Sequence, residues 1–371
     1  MRRTFLLAIA ALATMAGWSI AADDAEKLPA NATVLKIETK PATIALGDPF
    51  AYAQLNVTAH LQSGDMVDVT RLAKVTAPAA VKVSASGQVR PVSDGKGELT
   101  VSFNGQTAKV PVAVANQTVA PNVSFVRDVQ PVLSKLGCNA GTCHGSAQGK
   151  NGFKLSLRGY DPIFDHRSLT DDLEGRRFNR AAPDRSLMLM KPAGTVPHVG
   201  GVVWQPGDPT YDLDKAWIAD GVKLDLTAPK VASIELFPKN PSLPVIGMKQ
   251  QFSIIATYTD GKTRDVSAET FIESSNTEVA TIDKSGLTTS IRRGETTMLA
   301  RYEGAYAAST VVVMGDRSSF VWMPQPVYSP LDQLVDAKLQ KMKIQLSGLC
   351  DGTFVAKNAV ATLWSQPAAL P

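Results

Sequence analysis

Only three cysteines and four histidines occur in 371 residues, and aromatic side chains make up 6% of the chain. Sites for covalent or metal chemistry are therefore few. Charge is sparse too. Thirty-eight Lys and Arg against 34 Asp and Glu leave a net +4, and the basic residues are scattered, so no electrostatic footprint for nucleic acid is expected. No Ser-His-Asp set, paired-carboxylate motif or phosphate-binding loop stands out, which points away from hydrolases and transferases and towards a carrier or binding protein. Long apolar runs are missing after the N-terminus, so no transmembrane span is expected in the mature protein.

The N-terminus carries an address. Arg2 and Arg3 precede an apolar run from Phe5 to Ala16, and small residues at Ser19, Ala21 and Ala22 lead into Asp23 and Asp24. This order predicts a cleaved signal peptide over residues 1–22 and an exported protein, periplasmic or at the cell surface. Cysteines in such a compartment pair or carry a cofactor.

What is present in quantity is short, β-branched, alternating sequence. Runs at Val34–Ile37, Ala51–Leu61, Val81–Val83, Leu99–Phe103 and Val110–Val114 are separated by Gly, Asp, Asn and Ser, the spacing of an antiparallel sandwich over residues 33–116. The pattern returns over 231–314. Gly64 with Asp68-Val69-Thr70 matches Gly261 with Asp265-Val266-Ser267, and Gly87, Gly97 and Gly105 find counterparts in Gly286, Gly294 and Gly304. The Asp of each repeat reads as a turn residue bonding its own backbone rather than a calcium ligand. Both copies resemble bacterial Ig-like domains of group two, the second more closely through Tyr258-Thr259-Asp260-Gly261 and Asn276 to Ala280.

Between the copies the period changes. Phe125, Val129, Val132, Leu133 and Leu136 recur at helical spacing, with Ser124 and Asp128 at the start and Gly137 past the end. This helix delivers the chain to Cys138-Asn139-Ala140-Gly141-Thr142-Cys143-His144-Gly145. A second helix is expected over Asp212 to Asp220. Two thiols followed by an imidazole suit covalent haem attachment, although four residues rather than two separate the cysteines. A disulfide closing a small loop and a zinc site remain alternatives.

Residues Phe125, Asp128-Val129, Pro131-Val132-Leu133 and Cys138 to Gly145, then Asp184 to Met188 and Ala216 to Gly221, together resemble the planctomycete-type cytochrome c domain. The resemblance implies a small α-helical cytochrome-c-like module over 124–226, flanked by the two Ig-like sandwiches in a mainly β multidomain chain. It implies haem c anchored by Cys138 and Cys143, with His144 as one iron ligand. The family's methionine position is replaced by Val196 to Gly201, which makes His198 the sixth ligand and leaves Met188 and Met190 as alternatives. The implied function is single-haem electron transfer with an unknown redox partner. The alternative is a non-catalytic surface or adhesion protein whose cysteine pair is a disulfide and whose Ig-like arms bind a surface glycan or protein.

Several residues have plainer expected roles. Met188 and Met190 read as core, His166 as a solvated loop histidine, and His60 as a β-module residue with no partner in view. Lys150, Lys154, Arg158, Arg176 and Arg177 read as a solvated face. The stretch 329–371 opens with a helical pattern in Leu331, Leu334, Val335, Leu339 and Met342 and resembles the truncated start of the uncharacterised domain that follows the cytochrome module in that family. Cys350 has no expected partner.

Overall fold

The computed structural model describes residues 26, 28–172, 175–315, 317 and 319–347. The expected signal peptide, Cys350 and the rest of the tail beyond residue 347 lie outside them.

Alternation drives the first β-unit. In Gly95–Phe103 the side chains of Leu99 and Val101 are buried while Thr100 and Ser102 face outward, the period-two pattern of a half-buried strand. That strand lies between Gln106–Val114 and Lys74–Thr76, and Ile44–Leu46 joins the far side of Gln106–Val114 in parallel. A second sheet runs Val34–Lys40, Asn56–Leu61, Met66–Asp68, and a third Ala53–Gln54, Gln88–Pro91, Val81–Val83.

The second β-unit repeats this order element for element. Val231–Phe237, Ser253–Tyr258 and Thr263–Asp265 form one sheet. Ser242–Leu243, Ala305–Val313, Gly294–Tyr302 and Phe271–Ser274 form the next, and Lys249–Gln251, Leu287–Ser290 and Ala280–Ile282 the third. The chain is mainly β, as its composition leads one to expect. One glycine pairing needs correction. Gly95, not Gly97, is the counterpart of Gly294: each opens its long strand, with φ of 159° and 155°, at the same offset that pairs Gly87 with Gly286 and Gly105 with Gly304. Side-chain-bearing residues rarely adopt that backbone, so glycine is retained at both places.

The helical segment has its own core. Ser124 accepts the Arg127 N–H at 3.2 Å, helical turns run through Phe125–Val129 and Gln130–Lys135, and Gly137 ends them with φ 82°, as the caps predict. Pro162–Thr170, Leu187–Met190 and Pro209–Ala219 complete it. Phe125 stacks on Trp217 at 5.1 Å, both fully buried, and the Trp217 indole donates to the Lys223 carbonyl at 2.9 Å. Emptying a site that size costs about 3–5 kcal/mol. His166 belongs to this core. Contrary to the loop reading, it sits in Pro162–Thr170, edge-on to Phe125, with Nε2 2.8 Å from the Val222 carbonyl.

Beyond the second unit, Pro330–Lys341 is a helix, capped by Ser329 and Asp332 and tied by Lys338 to Glu295. No helix among the described residues is long and apolar enough to cross a membrane.

Candidate functional site

Three arrangements bring polar chemistry together. The first joins the two β-units. In each repeat one carboxylate oxygen holds its own turn: Asp68 Oδ1 accepts the Thr70 N–H at 2.8 Å and Asp265 Oδ1 that of Ser267 at 2.9 Å. The turn reading of these residues is thus correct, but it covers half of what they do. Asp68 Oδ2 accepts the Gln251 N–H of the second unit at 2.5 Å, and Asp265 Oδ2 accepts the Gln54 N–H of the first at 2.6 Å. Gln54 and Gln251 are equivalent positions, as are Asp68 and Asp265, so the clamp is reciprocal about a local two-fold axis. Lys40 and Phe237, again equivalent, meet near the axis with the ammonium 4.2 Å from the ring centre, and the buried apolar residues of both units form one continuous cluster.

The second arrangement docks the helical segment. Buried Asp128 accepts from the Ser124 N–H at 2.9 Å, from Arg127 Nη2 at 2.9 Å and from Arg264 Nη1 at 2.5 Å. Burial by itself would raise this carboxyl's pKa; Arg264 and Arg127 outweigh it and hold the group below the usual carboxylate range. Lys135 Nζ donates to the Thr270 carbonyl at 2.5 Å and Tyr302 to that of Arg127 at 3.3 Å. Inside the segment, Asp165 is pinned by Ser156 and Gln130, whose amide also reaches the Gly159 carbonyl at 2.7 Å.

The third is the cysteine loop. Cys138 N–H donates to Leu133 O at 2.9 Å, His144 N–H to Cys138 O at 3.0 Å, and Cys143 N–H to Ala140 O at 2.9 Å. Gly145 is required at the close approach of the two strands of this loop, because a Cβ there would lie 2.0 Å from Asn139 O. Cys138 and Cys143 are both unbonded and half-buried. The side chain of Cys138 packs against the helical core. His144 turns Nδ1 to the Phe153 carbonyl at 3.0 Å, and its ring is covered by Phe153 at 4.4 Å, over which Arg177 stacks at 4.0 Å. Burial lowers the His144 pKa. His198 bonds its own turn, Nδ1 2.9 Å from the Gly201 carbonyl.

Met188 packs against the helical core and Met190 is half-buried beside Leu189. Lys150, Lys154, Arg158 and Arg176 are exposed, but Arg177 is not a free surface charge: it also donates to the Asp172 carbonyl at 3.0 Å. His60 does have a partner, with Nε2 3.0 Å from Glu38 on the neighbouring strand. A cleft of about 500 Å³ opens on the helical segment, lined by Lys154, Asp161, Ile163, Phe164, Arg167 and Asp172. None of the four expected ligands lines it.

One residue escaped sequence reasoning. Asp214, in Pro209–Ala219, is fully buried and neither carboxylate oxygen has a hydrogen-bond partner. Its signal was available: three residues before Trp217 and four before Ile218, it lies on the helix's apolar face.

No family model matches this chain. A stretch of 112 residues is 36% identical to Ice-binding protein 1 of Shewanella frigidimarina, covering 30% of this chain and 12% of that protein. The chain thus spans about an eighth of the relative it matches. Among solved structures, domains 5–6 of the S-layer protein SbsC overlay with a TM-score of 0.30 at 12% identity, covering 77% of this chain and all of that one. Human protocadherin-24 EC1-2 gives 0.16 at 9%, covering 76% and 100%.

These findings overturn the cytochrome expectation. No cytochrome c family matches, the sequence relative is named for ice binding, and among the described residues no three His, Cys, Asp or Glu side chains gather in a way that could hold a metal ion. The haem c assignment falls with it, as do electron transfer and iron ligation by His144 and His198, with Met188 or Met190 as substitutes. His144 and His198 each turn Nδ1 to a backbone carbonyl, of Phe153 and of Gly201, and among the described residues neither belongs to a group of three His, Cys, Asp or Glu that could hold a metal ion.

Proposed function

We propose that this is a non-catalytic cell-surface or adhesion-type protein, in which two Ig-like units, residues 33–116 and 231–314, serve as a rigid arm for the helical segment 124–226. The observation that carries this reading is the reciprocal clamp. Carboxylates from both units accept backbone N–H groups across the joint, and Asp128 with Arg264 fixes the helical segment to the same body. An arm held in this way suits presentation of a surface more than a moving catalytic cycle. The similarity to a stretch of an ice-binding protein supports a place outside the cell, in keeping with the export signal expected at residues 1–22.

The presented face is the one around the cleft. Exposed Ile163 and Phe164 line the cleft, Tyr160, 84% exposed, precedes them by a few residues in the chain, and Lys154, Asp161 and Arg167 supply polar groups. Exposed aromatic rings among mixed charges suit a surface glycan or protein. Fluorescently labelled full chain should bind intact cells of the producing organism, and Tyr160→Ala with Phe164→Ala should weaken that binding about tenfold or more. Binding unchanged by the double substitution would refute the assigned face, and no binding to cells or to their isolated wall fraction would refute the function.

A further inference from the structure

Strand register puts two rings and a guanidinium side by side on the outer face of the second β-unit. In Gly294–Tyr302 the side chains of Thr296, Met298, Ala300 and Tyr302 are buried, and Leu299 and Arg301 point away from the core, the two-residue period of a half-buried strand. Arg301 pairs with Phe271 on one side and with Tyr306 on the other. Phe271, Arg301 and Tyr306 therefore form a row across three adjacent strands, about 10 Å long at the usual strand spacing. The next row on the same face is Glu273, Leu299 and Ala308. Tyr306 is 71% exposed, Phe271 and Leu299 are exposed as well, and the Arg301 guanidinium lies over the Phe271 ring, 4.9 Å from its centre.

The first unit shows that the fold does not require such a face. At the equivalent positions its sheet, of the same strand order, carries Lys74, Ser102 and Thr107 in one row and Thr76, Thr100 and Lys109 in the next. That face is wholly polar. The rings of the second unit point away from the core, so core packing does not account for them, and exposed apolar groups gathered in this way mark a binding surface. A small ligand needs enclosure, whereas a sheet face is flat and suits an extended polymer lying across the strands. Among the described residues Arg301 takes part in no salt bridge. Its fork is free for a carboxylate, which it would hold through two parallel N–H···O bonds.

We propose that this sheet face binds an acidic polysaccharide, a uronate-containing chain laid along the row, with a sugar carboxylate on Arg301 and the flanking pyranose rings stacked on Phe271 and Tyr306. The apolar C–H face of a pyranose matches an exposed aromatic ring, and the carboxylate supplies the planar acceptor that the guanidinium lacks. A single-stranded nucleic acid also stacks on rings, but it needs a track of cations for its backbone. Arg301 is the one cation of the two rows. The surface is distinct from the cleft on the helical segment, and the inference stands on the register of the second unit and its contrast with the first, whatever the cleft binds.

The test titrates the full chain with oligogalacturonate and with oligoalginate by calorimetry. Wild type should bind at least one of them, and Phe271→Lys, Arg301→Ser and Tyr306→Thr combined should weaken that binding about a hundredfold or more. The first unit already folds with those residues, and an unchanged urea midpoint checks that the second does too. The methyl ester of the bound oligomer keeps the rings and loses the charge, so wild type should bind it about tenfold or more weakly than the acid. Arg301→Gln, which spares both rings, should bind acid and ester alike. No binding of either acid, equal binding by the combined variant, or no preference of wild type for acid over ester would overturn the proposal. So would a wild-type dimer that the combined variant converts to monomer in sedimentation, because the face would then be an interface between copies of the chain. None of these substitutions touches the cleft, so cell binding through Tyr160 and Phe164 is read separately.

Discussion

The two β-units share one topology, yet equivalent positions have been put to different use. Position 67 of the first unit is a fully buried valine; its counterpart, Arg264, reaches out to Asp128 and secures the helical segment. Arg71 stands 3.0 Å from Asp68 and is held in turn by Glu26, whereas the second unit has Ala268 at that place. The Ala268 N–H instead donates at 2.8 Å to the hydroxyl of Tyr52, which passes its own proton towards Glu269 at 2.5 Å. Asp68 therefore has a guanidinium beside it, while Asp265 is satisfied by neutral donors from Gln54 and Ser267. A duplicated scaffold can keep its strand order and turn glycines while its joint and its docking face diverge.

Making the units alike should break that division. The largest effect is expected from Arg264→Val, which copies the first unit. It leaves buried Asp128 with Arg127 as its one remaining cation, and losing one partner of a buried pair costs about 3–5 kcal/mol, read as a fall in the urea midpoint. The same pair sets an acid limit. The Asp128 pKa is lowered in the folded state, so its contribution is present above the unfolded value of about 4 and is lost as pH falls through the lower folded value. Wild type should lose stability below about pH 4, and Arg264→Val should lose less there.

Next in size are the two halves of the clamp. Asp68→Asn should cost about 2 kcal/mol, because Arg71 loses a charged acceptor in addition to the weakened bond from Gln251. Asp265→Asn should cost about 1 kcal/mol. The pH dependence sharpens the contrast. Burial pushes Asp265 up to about 6, against the pull of its Gln54 and Ser267 hydrogen bonds. The folded state then holds a proton that the unfolded state gives up above about pH 4, so stability falls as pH rises between about 4 and about 6. Asp265→Asn should flatten that part of the profile, and an unchanged slope in urea titrations would assign it elsewhere.

Much of the scaffold could be read from the chain. Alternating runs gave both β-units, the glycines gave their turns, and Ser124 with Gly137 gave the ends of the first helix. The joint could not be read, because the Asp68 and Asp265 motifs look complete as local turns; their second oxygens act on partners 183 and 211 residues away. Arg264 looks like an ordinary outward residue between Thr263 and Asp265, and the charge it meets lies in another segment. The cysteine motif misled for a related reason. Its spacing records which residue types are close in sequence, while the groups that His144 and His198 bond through Nδ1, the carbonyls of Phe153 and Gly201, lie outside the motif. His166 was misplaced because its partner, the Val222 carbonyl, lies beyond three intervening elements. Asp214 was visible on an apolar helix face, but only burial on all sides shows that nothing bonds it.

The claim that the two units form one clamped body is tested most directly by amide hydrogen exchange at Gln54 and Gln251, whose N–H groups are bonded across the joint and not within their own sheets. Both should exchange only with global unfolding, slowed by about a thousandfold or more relative to an exposed amide. In Asp68→Ala the Gln251 amide should exchange faster by a larger factor than the Gln54 amide. Exchange of both at the rate of exposed loop amides in wild type, with the sheets still protected, would mean that the units move independently and would contradict the account.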